Sequence, residues 1–276
     1  AKLAGNNLLH SVPPGPIGKS RYQLTDRLSG KVCLVTGGGR GLGKAMALAF
    51  AREGAKAVAI SYISNEAYAE ETCQALAELG TTAYMTPVEV THQASIKAWV
   101  DHIADAEGRI DVLVNNAGIN RQGPVDTVTE ADWDEIMAVN LKGPFLVTQA
   151  VLPLMVEAGG GRVINIASVS GLYGGPTTAH YAASKAGLIS LTQVLARWGA
   201  EHGILVNSIS PGIIETDLTR EELRSGGGAG VVALTLLKRP GQVEDVASIA
   251  VMLASDEQNY MTGQTISPNG GSYFTD

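Results

Sequence analysis

From Lys31 onward the chain alternates short runs of β-branched and apolar residues with longer stretches of helical periodicity. Few folds accommodate that alternation other than strands joined by crossover helices around a parallel sheet. Strands are expected near 32–36, 57–62, 83–86, 112–115, 162–167, 205–210 and 265–267, and helices over 42–52, 66–79, 93–106, 131–156, 179–202 and 243–254. The fourth helix carries Gly143 and Pro144, where an interruption is expected. Runs such as Val32-Cys33-Leu34-Val35 have no polar face, as suits strands covered by helices on both sides. The expected fold class is α/β: a doubly wound sheet of seven parallel strands forming a single domain over residues 31–276, preceded by an extended arm over residues 1–30. Such sheets bind ligands outside the carboxyl ends of their strands, near the point where strand order reverses.

The first strand runs into Thr36-Gly37-Gly38-Gly39-Arg40-Gly41-Leu42-Gly43 and then a helix-forming stretch. Glycines let the backbone turn tightly against a pyrophosphate, and the helix behind them offers free N–H groups and the positive end of its dipole. Near the end of the second strand, Ile60-Ser61-Tyr62-Ile63-Ser64-Asn65 lacks the carboxylate that would hold both ribose hydroxyls of NAD and repel a 2′-phosphate. Arg40 offers a cation to that phosphate, with Ser61 or Ser64 as neutral donors. NADP(H) is favoured, and NAD(H) is left open.

Tyr181-Ala-Ala-Ser-Lys185 lies in the helix after the fifth strand, so Tyr181 and Lys185 share one helix face at i and i+4. A free tyrosine titrates too high for proton exchange at neutral pH, and a nearby ammonium is expected to lower it by stabilising phenolate. Ser168 ends the fifth strand, thirteen positions before Tyr181.

These motifs resemble those of the short-chain dehydrogenase/reductase family, in particular its 3-oxoacyl-(acyl-carrier-protein) reductase-like members, over roughly residues 31–276. The glycine motif, the Ser168–Tyr181 spacing and the C-terminal stretch Leu253-Ala-Ser-Asp-Glu-Gln-Asn-Tyr-Met-Thr-Gly-Gln-Thr-Ile-Ser-Pro-Asn-Gly-Gly271 carry the resemblance. It implies a Rossmann-type fold and hydride transfer between a nicotinamide and a carbonyl carbon, with Tyr181 as acid/base. In that scheme Ser168 orients the substrate oxygen, Lys185 holds the nicotinamide ribose, and Asn140 holds a water linking Lys185 to solvent. It further implies that Asn116, Ala117 and Gly118 border the cofactor and that Glu89-Val90 lies near the adenine, where the family usually has Asp-Val. Pro211, Gly212, Ile214 and Thr216 are expected to contact the carboxamide. A homotetramer is implied as well.

One departure bears on the partner. The subgroup carries arginines that dock an acidic carrier protein, whereas the corresponding stretches here, 157–161 and 199–203, hold no Lys or Arg. An acidic carrier is therefore expected to dock poorly unless other basic residues substitute, because encounter depends on opposite charge. A ketone, a 3-oxoacyl thioester, a sugar or a small alcohol stays open as substrate, as does a silent dinucleotide sensor.

Net charge −7 and the lack of a basic run argue against nucleic acid or an anionic membrane surface as partner. The two cysteines, Cys33 and Cys73, match no metal spacing and read as free thiols of a reducing, cytoplasmic compartment. No metal site is expected. A Gly-rich patch at 225–230 reads as a lid over the substrate edge or as a plain solvent loop.

Overall fold

The computed structural model describes residues 10–12, 26–175, 177–217, 219–220, 223 and 229–274. In chain order the principal elements are β1 (His10–Val12), β2 (Val32–Val35), α1 (Gly41–Arg52), β3 (Ala57–Tyr62), α2 (Glu66–Glu78), β4 (Thr82–Pro87), α3 (Gln93–Glu107) and β5 (Val112–Asn115). After them come α4 (Glu130–Met137), a π-helical turn (Ala138–Lys142), α5 (Gly143–Glu157), β6 (Gly161–Ile166), α6 (Ser170–Tyr173), α7 (Ala179–Ala200), β7 (Ile204–Ile209), α8 (Ala229–Leu234), α9 (Val243–Ala254) and β8 (Thr265–Ile266).

The sheet has the order β1-β4-β3-β2-β5-β6-β7-β8. Strands β2 to β8 are the seven parallel strands expected from the alternation. The eighth strand was not expected. β1 comes from the N-terminal stretch and pairs antiparallel with β4, His10 opposite Met85 and Val12 opposite Ala83. Three residues beside a Pro-Pro pair leave no periodic signal, but they cover the backbone groups that an edge strand exposes. The core also reaches back before Lys31: Leu28 is fully buried, and Ser29 forms an antiparallel bridge with Ala55.

Alternation along each strand divides the interior into two cores. Cys33 and Val35 of β2 join Met46 and Phe50 of α1 and Val246 and Ala250 of α9 on one side. Val32 and Leu34 join Trp99 and Ile103 of α3 and Val147 and Val151 of α5 on the other. Both cysteines are buried and free, and burial pushes Cys73 up to about 12 and Cys33 further in the same direction. They act as core hydrophobes.

The expected break near Gly143 and Pro144 lies earlier. Pro144, which lacks an N–H to donate, lies just after the irregular segment, the π turn at Ala138–Lys142. The whole stretch Glu130–Glu157 is long and apolar enough to cross a membrane by length and composition, and Leu146, Val147, Val151 and Met155 on it are buried in the core. Positions 225–228 of the Gly-rich patch fall outside the described residues, while Ala229 and Gly230 open α8.

Candidate active site

The sheet order reverses between β2 and β5, which run side by side with Val35 opposite Val114. Their carboxyl ends carry the glycine turn and Asn115-Asn116-Ala117-Gly118. Thr36 ties the two together. Its Oγ1 accepts from the Asn116 and Ala117 amides at 2.9 and 3.0 Å, and the Asn116 amide group donates to the carbonyls of Thr36 and Gly37 at 2.9 and 3.0 Å.

Close approach makes the glycines of this turn necessary. Gly37 and Gly41 have φ of 64° and 54°, which side chains disfavour. A Cβ on Gly43 would stand 2.2 Å from the Gly37 carbonyl oxygen, so α1 rests directly against the turn. Arg40 is the N-cap of α1 and makes no side-chain cap, and no acid lies in the first turn. The helix therefore presents its first N–H groups and its positive end at the turn, and a pyrophosphate fits there. Leu42 packs on the core below.

The residues expected around the adenosine end divide. Arg40 and Ser64 are exposed, as a phosphate contact requires. Ser61 is buried, and its Oγ accepts from the Gly37 amide at 3.2 Å, so it props the turn from beneath instead of facing a ligand. Tyr62 donates its hydroxyl to Glu66 at 3.2 Å, and burial together with that carboxylate pushes its phenol up to about 12. Val90 is buried against Gly143, whose absent side chain lets it approach. Glu89 turns its carboxylate to Thr91, 2.7 Å, and to His92, 3.2 Å. Both contacts lie just before α3, and the carboxylate stays half exposed.

Past the carboxyl end of β6, Ser168 lies beside Tyr181, the third residue of α7. Burial raises the Tyr181 phenol above its ordinary value, and a hydrogen bond with Ser168 opposes the rise. Lys185 lies one turn along α7, its Nζ 5.7 Å from the Tyr181 ring centroid, donating to the Ile166 carbonyl at 2.7 Å. Burial lowers the Lys185 pKa to about 8. The expectation that this ammonium lowers the tyrosine is thus not met in this structure. Desolvation of phenolate outweighs a cation that is itself desolvated and directed at a carbonyl.

Asn140 is fully buried in the π turn. Its Oδ1 accepts from the Ile119 amide and its Nδ2 donates to the Ile119 carbonyl, both at 2.8 Å, with a further contact to Ser184 Oγ at 3.3 Å. The side chain therefore clamps the loop after β5 to α7. The same loop contributes Gly118, where a Cβ would lie 3.1 Å from Asn140 Oδ1 and 3.5 Å from Lys185 Nζ. Asn140, Ser168, Tyr181 and Lys185 are thus brought to one place.

Sequence reasoning missed a buried polar chain that holds this place together. Asn115 donates to Thr148 at 2.9 Å and to Asn165 at 2.8 Å, and Asn165 donates to Thr192 at 2.9 Å. It links β5 and β6 to α5 and α7. Asparagines within otherwise apolar strands were the available signal. After β7, Pro211 accepts from the Val169 amide at 3.0 Å, and Gly212 fits against Asn269, 2.8 Å from the nearest backbone atom a Cβ would meet. Ile214 is buried and bridged to Gly241, and Thr216 comes within 3.9 Å of the space above Gly41. This loop closes the crevice over the glycine turn.

A dinucleotide cradle beside a Ser-Tyr-Lys group, its serine and lysine buried and its tyrosine half-buried, defines an oxidoreductase acting on CH–OH or ketone groups. Residues 37–273 match the family model described as enoyl-(acyl carrier protein) reductase. The chain is 44% identical over 249 residues to the 3-oxoacyl-(acyl-carrier-protein) reductase of Thermotoga maritima, covering 89% of this chain and 98% of that protein. It is 40% identical to the enzyme of the same name from Escherichia coli over 246 residues, with 89% and 98% coverage. A solved structure described as a short-chain alcohol dehydrogenase from Sinorhizobium meliloti superposes with a TM-score of 0.84 at 36% identity, covering 90% of this chain and 98% of that one. The chain belongs to the short-chain dehydrogenase/reductase family.

Proposed function

We propose that this protein is an NADPH-dependent ketoreductase that converts a carbonyl to a secondary alcohol, with Tyr181 as general acid. The observation that carries this reading is the half-buried Tyr181 beside Ser168, with Lys185 behind it, at the carboxyl edge of the sheet. Two hydroxyls beside each other suit a single substrate oxygen, so they fit reduction of C=O better than reduction of C=C. A nicotinamide dinucleotide bound in the crevice supplies the hydride. The Gly37–Gly43 turn, residues 116–118, the 211–216 loop and Lys185 are the groups that would hold it.

As the carbonyl oxygen gains charge, Ser168 donates a hydrogen bond to it and Tyr181 passes it a proton. Donors fixed before reaction stabilise that charge without reorganising. The raised Tyr181 pKa keeps the phenol protonated at neutral pH, the form that reduction requires. Proton resupply to Tyr181 runs inward from the loop that Asn140 clamps through Lys185, whose pKa near 8 suits exchange close to neutrality. Incubation with NADPH and a panel of ketones and 3-oxoacyl thioesters tests the reading: cofactor depletion with alcohol formation supports it, and depletion with none of them contradicts it.

The exposed Arg40 and the absence of a carboxylate at the end of β3 favour NADPH over NADH. Arg40→Ala is expected to weaken NADPH binding about tenfold or more while changing NADH binding little, a charge-assisted contact being lost only with the phosphate. Fluorescence titration with both cofactors measures the difference.

The curated relatives are named for substrates on acyl carrier protein. Here the two stretches where docking cations are missing lie together, the Gly161 amide donating to the Gly203 carbonyl. The neighbouring Arg162 is taken up by Asn259 at 2.7 Å and Asp256 at 3.5 Å. This favours a substrate presented without a carrier. Phe145 on α5 and Val194 and Trp198 on α7 are exposed apolar residues that suit pairing of these helices in a homotetramer. The buried thiols suit a reducing cytoplasm.

A further inference from the structure

The short helix α6 begins beside Ser168, whose Oγ accepts from the Ser170 amide at 3.2 Å, and it packs so tightly on α7 that a Cβ on Gly171 would meet the Lys185 backbone at 2.7 Å. α6 is therefore fixed to the reacting residues, and its last residue, Tyr173, is half exposed. The Tyr173 ring lies 5.5 Å from the ring of Tyr273, tilted by 38°. Tyr273 is held in turn by Asn269, whose amide donates to the Tyr273 carbonyl at 2.8 Å and whose backbone lies against Gly212. The aromatic pair thus bridges the Ser168 side of the crevice and the loop after β7.

The surface beside the pair is apolar. Leu236 packs on Gly271, Leu237 follows it, and Phe274 lies one residue past Tyr273; their exposures are 64%, 63% and 72%. Three arginines of the adjoining loops are neutralised, while Lys238, next to Leu237, donates to the Ala233 carbonyl at 2.8 Å. Arg121 is paired with Asp132 and Glu135, Arg220 with Glu215 and Asp217, and Arg239 with Asp245. A phosphate or carboxylate tail on a substrate would have to displace a carboxylate from each of them. An aromatic face beside uncharged apolar surface instead favours a flat or alicyclic ring, through stacking and burial.

We propose that the substrate is a free, uncharged ketone carrying an aromatic or alicyclic ring, and that Tyr173 and Tyr273 select it by forming one wall of its pocket. This rests on the ketoreductase reading and narrows its substrate class.

The test compares kcat/KM for NADPH-driven reduction of an aryl ketone, 1-phenyl-2-propanone, and of butanone. Wild type, Tyr173→Ala, Tyr173→Phe and Tyr273→Ala are assayed, with NADPH binding as the check on folding. Wild type is expected to prefer the aryl ketone, and Tyr173→Ala to reduce that preference about tenfold, the size expected for an aromatic contact together with its burial. The change should fall on KM, with Tyr173→Phe retaining the preference and Tyr273→Ala losing part of it. Equal losses for both ketones, or faster reduction of a carrier-bound 3-oxoacyl thioester than of the free aryl ketone, would overturn the substrate class and leave the ketoreductase reading standing. Tight NADPH binding with no carbonyl reduced by any variant would overturn both.

Discussion

Tyr181→Phe is expected to bind NADPH as wild type does and to lose about 10²–10⁴-fold in kcat, the range over which a positioned general acid contributes. The change removes one hydroxyl and keeps the ring beside Lys185. It deletes the proton donor together with its hydrogen bond to Ser168. Lys185 keeps its contact with the Ile166 carbonyl, because that bond does not pass through the tyrosine. Steady-state reduction kinetics beside an NADPH fluorescence titration separate the two effects. A variant with near-wild-type kcat would remove Tyr181 from the chemistry.

Gly43→Ala is expected to have the second-largest effect, on binding instead of turnover. The new Cβ would stand 2.2 Å from the Gly37 oxygen and 2.6 Å from the Asn116 amide nitrogen. The first is backbone and cannot swing aside, so α1 must move off the turn. That motion displaces the N–H groups that face the pyrophosphate, and overpacking of this kind costs about 1–3 kcal/mol in stability. NADPH affinity should fall by at least about tenfold, corresponding to roughly 1.4 kcal/mol. Gly39→Ala is the internal comparison, since its Cβ would meet its nearest neighbour at 3.3 Å and needs only a small adjustment. Equal affinities for the two variants would mean that the close approach of α1 does not shape the cradle.

The parallel strands were legible because most are short, mainly apolar runs between helical stretches, as at Val32–Val35 and Val112–Asn115. The glycine turn and the Tyr181–Lys185 pair were legible because their chemistry depends on local spacing. Features set by distant partners were not. β1 is defined by the edge of β4 and not by its own three residues. Ser61 read as a ligand donor until its position beneath Gly37 showed what it holds. The direction of the Tyr181 shift depended on its burial in the folded chain, which no i, i+4 rule contains.

The central claim is that this crevice reduces a ketone with Tyr181 as proton donor, and the pH dependence of NADPH-driven reduction by the wild-type protein tests it most directly. Because Tyr181 is raised, it stays protonated through neutrality and into the mildly alkaline range. NADPH should be consumed one for one with alcohol formed, at a rate sustained through neutrality and falling once Lys185, lowered to about 8, loses its proton, while oxidation of the same alcohol, which needs the phenolate, should accelerate as pH rises. Tight NADPH binding without consumption, or a reduction rate that falls away through neutral pH, would contradict the account.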